Sequence, residues 1–72
     1  MNEIIELQND IETLEFHKRH IIRELAELEN RGLTHSEEFK RLEEQLRICN
    51  SNIRTIEREI VRLEEGRLEE AV

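Results

Sequence analysis

Apolar side chains in this sequence recur at alternating intervals of three and four residues, and the pattern is interrupted only between residues 30 and 37. This spacing corresponds to positions a and d of a heptad repeat, which form one stripe along an α-helix. The first stripe comprises Ile4, Leu7, Ile11, Leu14, Ile21, Leu25 and Leu28, with Lys18 at one a position. The second comprises Phe39, Leu42, Leu46, Cys49, Ile53, Ile56, Ile60 and Leu63. The pattern predicts two long amphipathic helices that bury these stripes against each other.

Composition supports an all-α fold and limits its size. The 72 residues include no proline, two glycines and two phenylalanines as the only aromatic residues, and 40% of them are charged. A chain this short, with so few large side chains, cannot enclose the core of an ordinary globular domain. We therefore expect one helical unit over residues 1–72.

The interruption carries a helix stop signal followed by a start signal. Gly32 can adopt the left-handed conformation that ends a helix, and Leu33 is the apolar residue expected next. Thr34 and Glu37 have the spacing of a capping box. These signals predict a turn at 31–34 between a first helix at about 2–31 and a second at about 35–65, with a frayed tail at 66–72.

The heptad phase continues through the interruption, so one long helix in a parallel coiled-coil dimer is the alternative. Gly32 would then occupy an a position and His35 a d position, and both residues are poor choices for a seam. We therefore predict a two-helix antiparallel coiled-coil hairpin. Residues whose numbers add to 67 face each other in it, as Lys18 faces Cys49.

Apolar residues also occur off the seam, on the side of the hairpin where positions b and e of both helices meet. They are Ile5, Ile22, Ala26 and Val61. Because so small a hairpin buries little apolar surface by itself, this side predicts self-association of two hairpins into a four-helix bundle.

Basic residues concentrate in the middle of both helices. There is no acidic residue between Phe16 and Arg23 or between Gln45 and Ile56. The resulting basic waist consists of Lys18, Arg19, Arg23, Arg47 and Arg54, with His17 and His20. We predict that acidic groups of a protein partner bind to Phe16, Arg19, Arg23, Arg47 and Arg54. In the alternative interpretation the waist is solvated surface, with ion pairs Glu15–Arg19 and Glu43–Arg47.

His17 and His20 have the helical spacing of a metal-binding pair, with Glu24 one turn further on. The imidazoles are expected on the outer flank and Cys49 in the core, so we predict no metal and no other cofactor. Cys49 opposite Lys18 could be a stabilised thiolate. Without a second cysteine or a base beside it, we expect it to pack as a small apolar residue.

No pattern of catalytic residues is present, so we predict no enzymatic activity. With 11 basic and 18 acidic residues, the net charge of −7 disfavours nucleic acid and anionic membranes and favours a protein partner. No apolar run approaches the roughly 18 residues of a membrane span, and the N-terminus lacks the pattern of a secretory signal. With a single cysteine, these features predict a cytoplasmic protein.

The turn Gly32-Leu33-Thr34, followed by Ser36-Glu37-Glu38 between two amphipathic helices, resembles the small two-helix sporulation phosphatases that dephosphorylate response regulators. The motif of that family, Ser-Gln-Glu-Leu-Asp on its second helix, corresponds here to Leu42-Glu43-Glu44-Gln45-Leu46. This segment lacks the serine and the final aspartate, so the phosphatase activity is not implied. The hairpin plan is also similar to that of a plasmid copy-number regulator that dimerises into a four-helix bundle and binds paired RNA loops, although no sequence motif is shared.

These features together predict a non-enzymatic protein-interaction module that acts as an adaptor, an inhibitor or a regulatory factor. Two alternatives belong to other classes. One is a nucleic-acid-binding bundle that uses the basic waist, and the other is a relative of the two-helix phosphatases without their catalytic motif.

Overall fold

Two α-helices pack against each other as a hairpin in the computed structural model of this chain. Helix α1 spans Glu3–Asn30 and helix α2 spans Glu37–Ala71. The structure describes the backbone of residues 2–71 and the side chains of residues 2–66. The molecule measures 58 × 16 × 14 Å. The predicted two-helix hairpin is confirmed, and the chain does not form one continuous helix.

The predicted seam residues are the ones that the fold covers. Every residue assigned to an a or d position is buried or half-buried, and Ile21 is the most enclosed at 1% exposure. The core cluster around it, near the turn, contains Leu25, Leu28, Phe39, Leu42 and Leu46. These are residues that the predicted register brings together, since their numbers pair to 67.

A contact near the middle of the hairpin agrees with the same register. The Cys49 thiol donates a hydrogen bond to the Leu14 carbonyl oxygen, with 3.1 Å between sulfur and oxygen. In an α-helix the carbonyl of residue 14 points along the axis toward residue 18. Cys49 therefore lies within one helical turn of Lys18, close to the predicted register.

Helix α1 is closed at both ends by local hydrogen bonds. Asn2 caps its start, because the Asn2 side-chain oxygen accepts from the Ile4 N–H at 3.0 Å. At its end, the Gly32 N–H donates to Glu29 O at 3.0 Å and the Leu33 N–H to Leu28 O at 2.9 Å. Gly32 has φ of +73°, as the predicted stop signal requires. This pair of bonds is the Schellman arrangement, which satisfies carbonyls left free at a helix end.

The start of α2 differs from the prediction. Ser36, not Thr34, caps this helix, because Ser36 Oγ accepts from the Phe39 N–H at 3.2 Å. The Ser36 hydroxyl and N–H both donate to the Leu33 carbonyl oxygen, at 2.8 and 3.3 Å, so residues 33–36 close into one further turn. Thr34 is enclosed in that turn and forms no side-chain hydrogen bond within the described part of the chain. The connection is therefore 31–36 instead of 31–34.

Helix α2 also continues past the predicted end at 65. It passes through Gly66 and reaches Ala71. A glycine costs only about 1 kcal/mol inside a helix, so it does not end a helix by itself. The side chains of the predicted frayed tail beyond Gly66 lie outside the described residues. Neither described helix combines the length and apolar character needed to cross a bilayer.

Candidate partner-binding surfaces

The predicted partner-binding residues of α1 form one exposed cluster. Phe16 is 71% exposed and lines a shallow groove with Arg19, His20 and Arg23, which we call the α1 patch. Intervals of three, four and seven residues place these side chains on one surface of the helix. Phe16 and Arg23 occupy position f, the position farthest from α2, and face away from the seam, while Arg19 at position b lies beside it.

The predicted residues of α2 lie in a different groove. Arg47 and Arg54 line it with Ile48, Asn50 and Ser51, and we call this the α2 patch. Phe16 and Arg23 line neither this groove nor the one between the helices. Among the predicted residues, Phe16 and Arg23 point outward at position f, whereas Arg19, Arg47 and Arg54 share position b beside the seam.

Ile48 belongs to the α2 patch although sequence reasoning assigned it no role. Its side chain is 51% exposed. The sequence did contain a signal for this residue, because an isoleucine directly follows Arg47 at a position off the seam.

The charge pairs of the waist differ from those expected for a solvated surface. Arg47 pairs with Glu44 on the preceding turn of α2, and both side chains are exposed. This hydrogen bond and the charge of Glu44 raise the pKa of Arg47. The pair Glu43–Arg47 is replaced by Glu44–Arg47, because an arginine side chain can equally reach the residue three positions away. The pair Glu15–Arg19 is not formed among the described residues.

Three arginines of the waist have no carboxylate partner within residues 2–66. They are Arg19, Arg23 and Arg54. His20 lies 3.3 Å from a carboxylate oxygen of Glu24, an ion pair only when the imidazole is protonated. The guanidinium groups of Arg19 and Arg23 therefore line the same groove as the Phe16 ring without a carboxylate at ion-pair distance.

The residues predicted for self-association are exposed on the side where positions b and e meet. Ile5, Ile22 and Val61 are 53%, 45% and 52% exposed, and Ala26 is exposed too. A groove between the helices on this side is lined by Glu15, Lys18, Asn50, Ile53, Arg54 and Glu57. Side chains of α1 and α2 thus contribute to one surface, which we call the b/e face.

Lys18 and Cys49 both lie near the centre of the seam. Lys18 is half-buried, and it makes no ion pair among the described residues. Cys49 is 3% exposed and its thiol acts as a hydrogen-bond donor to Leu14. Such a contact uses the protonated thiol, in agreement with its expected role as a core residue. Within the described chain, no three His, Cys, Asp or Glu side chains converge as metal ligands.

No protein-family model matches this chain. Comparisons with curated proteins and with solved structures also give no significant match.

Proposed function

We propose that this hairpin is a non-enzymatic protein-interaction module, and that its α1 patch binds an acidic segment of another protein. The observation that carries the proposal is the exposure of Phe16 beside unpaired arginines. Burying a phenylalanine side chain fully contributes roughly 1.5–3 kcal/mol, a stabilisation that the folded hairpin leaves almost unused at this position.

The chemistry of the α1 patch defines the partner that fits it. An aromatic ring next to arginines is a frequent anchor of protein interfaces. The guanidinium groups of Arg19 and Arg23 can each form paired hydrogen bonds with a carboxylate. A partner segment that carries acidic residues around one apolar side chain would therefore complement the patch. A long polyanion fits less well, because the hairpin carries a net charge of −7.

Affinity capture from the native host tests the α1 patch. The hairpin, Phe16→Ala and Arg23→Ala are compared with Asn9→Ala, a control at another exposed f position of α1. We expect the specific partner to be retained by the control, and each patch variant to bind it with over 1 kcal/mol less affinity. If all four proteins bind the partner with equal affinity, the α1 patch is solvated surface and does not bind it. Salt-sensitive RNA binding that is lost in Arg23→Ala would instead favour the nucleic-acid alternative.

We further propose that the seam is a regular coiled coil and that two hairpins form a four-helix bundle through their b/e faces. The exposed residues Ile5, Ile22 and Val61 support this arrangement. Positions b and e recur along both helices, so a contact between two copies would extend along the hairpin.

Sedimentation equilibrium tests self-association with a matched pair of variants. Val61→Glu places a charge on the b/e face, whereas Ile48→Glu places it at an equally exposed residue that lies off this face. We expect a dimer for the unmodified protein and for Ile48→Glu at tens of micromolar, and dissociation for Val61→Glu and Ile22→Glu. A monomeric unmodified protein would refute the proposal.

A further inference from the structure

Charged and apolar residues alternate in bands along the b/e face. To compare the two helices, we assign each α1 residue a level equal to its number, and each α2 residue a level equal to 67 minus its number. This register is the one that the core cluster and the contact between Cys49 and Leu14 support.

Four bands follow one another from the open end of the hairpin toward the turn. They are an apolar band of Ile5 and Val61, an acidic band of Glu12, Glu15 and Glu57, a basic band of Arg19 and Arg47, and an apolar band of Ile22 and Ala26. Each apolar band also borders one exposed carboxylate, Glu64 at level 3 and Glu43 at level 24. Arg54 lies within the acidic band and lines the same groove as Glu15 and Glu57. The order is therefore apolar, acidic, basic, apolar.

We infer that the partner of this face is a second copy of the chain in reversed orientation, with the two turns at opposite ends of the bundle. A two-fold axis near level 15 then places each apolar band on the opposite apolar band, and Glu12 and Glu57 of the acidic band on the basic band. Glu15 lies on the axis and meets its own counterpart, with Arg54 two levels away. Each helix lies on its own counterpart, with Glu12 facing Arg19 and Glu57 facing Arg47. A copy in the same orientation would place the acidic bands on each other and Arg19 on Arg47, which costs affinity. This inference rests on the proposed self-association.

The charged groups of the acidic and basic bands are available for such contacts. Arg19, Glu12 and Glu57 form no ion pair within residues 2–66. The pair between Arg47 and Glu44 is exposed on both sides, and pairs of this kind contribute little, so it can be exchanged. Contacts between copies would be partly shielded from water, which strengthens charge-assisted hydrogen bonds. Phe16 and Arg23 stay on the outside of this bundle, available to the other partner, whereas Arg19 is used by the contact between the copies.

Distance measurement between spin labels tests the orientation. Cys49→Ala removes the native thiol, and a single label is attached in this background at Asn30→Cys or at Ser51→Cys, both exposed sites. In the reversed dimer the two labels at residue 30 are about 45 Å apart along the bundle, because they lie 15 levels on either side of the axis at 1.5 Å per residue. Labels at residue 51, one level from the axis, are about 3 Å apart in the axial direction. If Cys49→Ala does not fold, the buried Cys49 is retained and the exposed thiol is labelled selectively.

The alternative orientation predicts a different result at residue 30. Two copies with their turns at the same end would bring both pairs of labels to the same level, so both distances would be short. A short distance at residue 30 in a protein that sediments as a dimer would overturn the inference and leave self-association intact. A monomer in sedimentation would refute self-association itself.

A charge exchange provides a second test of the same contacts. Arg19→Glu and Glu12→Arg each place like charges against each other in the reversed dimer, so we expect each to weaken dimerisation by about tenfold. The double variant restores opposite charges and should recover affinity. Arg23→Glu is the control, because position f lies outside the interface. Equal weakening by Arg19→Glu and Arg23→Glu, without recovery in the double variant, would contradict the proposed contacts.

Discussion

Gly32 and Gly66 occupy opposite backbone environments, although an added methyl group would meet open space at both positions. Gly32 has φ of +73°, a conformation that costs a residue with a side chain roughly 1–2 kcal/mol. Gly66 lies inside α2, where alanine is favoured by up to about 1 kcal/mol. We expect Gly32→Ala to lower the free energy of unfolding and Gly66→Ala to raise it, measured by urea denaturation. If both variants change the free energy of unfolding in the same direction, backbone conformation does not determine the effect of these two substitutions.

The cap of α2 depends on one hydroxyl group. Ser36→Ala removes the acceptor for the Phe39 N–H, so we expect it to destabilise the protein by about 1 kcal/mol. Thr34→Ala should cost less than half as much, because the Thr34 hydroxyl makes no hydrogen bond in the described chain. Thermal unfolding followed by circular dichroism measures both. A larger loss of stability in Thr34→Ala than in Ser36→Ala would indicate that Thr34 and Glu37 form the capping box predicted from their spacing.

At the scale of the helices, Lys18 is the one charged residue in the seam between Ile4 and Leu63. It is half-buried and has no carboxylate partner among the described residues, so its ammonium group contributes little to the stability of the hairpin. We expect Lys18→Leu to increase stability by about 1 kcal/mol, because the new side chain completes an apolar layer with Cys49. Arg58→Leu, at an exposed f position of α2, is the control and should change the melting temperature little.

The Lys18→Leu variant also reports on register. If its melting temperature falls instead, Lys18 has a partner in solution that the hairpin alone lacks. A role for the lysine in setting the orientation or number of helices would then explain its place in the seam.

At the scale of the whole molecule, the seam must open before Cys49 can react. Its thiol is 3% exposed and bonded to the Leu14 carbonyl of the other helix. We expect it to react with a maleimide at least about 100-fold more slowly than a thiol introduced at exposed Ser51 in a Cys49→Ala background. Equal rates would mean that the helices separate readily. If two hairpins form a bundle, the protection of Cys49 should increase with protein concentration.

Sequence alone determined the two helical stripes. An apolar residue at every third or fourth position fixes which side of a helix is buried, whatever that side meets. Every residue so assigned, from Ile4 to Leu63, is buried or half-buried. The stop at Gly32 was also readable, because a left-handed residue followed by Leu33 is a local requirement of a helix end.

Only the tertiary structure decided how the chain connects the two helices and which surface residues lie together. The heptad phase continues through the turn, so periodicity could not separate a hairpin from one long helix. Thr34 and Ser36 are both competent caps, and the choice depended on how residues 33–36 fold back on the Leu33 carbonyl. Counting charges along the chain assigned Phe16 and Arg47 to one waist, but such a count does not say to which side of a helix each side chain points. Phe16 at position f points outward, whereas Arg47 at position b lies beside the seam. The two side chains are separated because each helix turns by a fixed angle per residue around the shared interface.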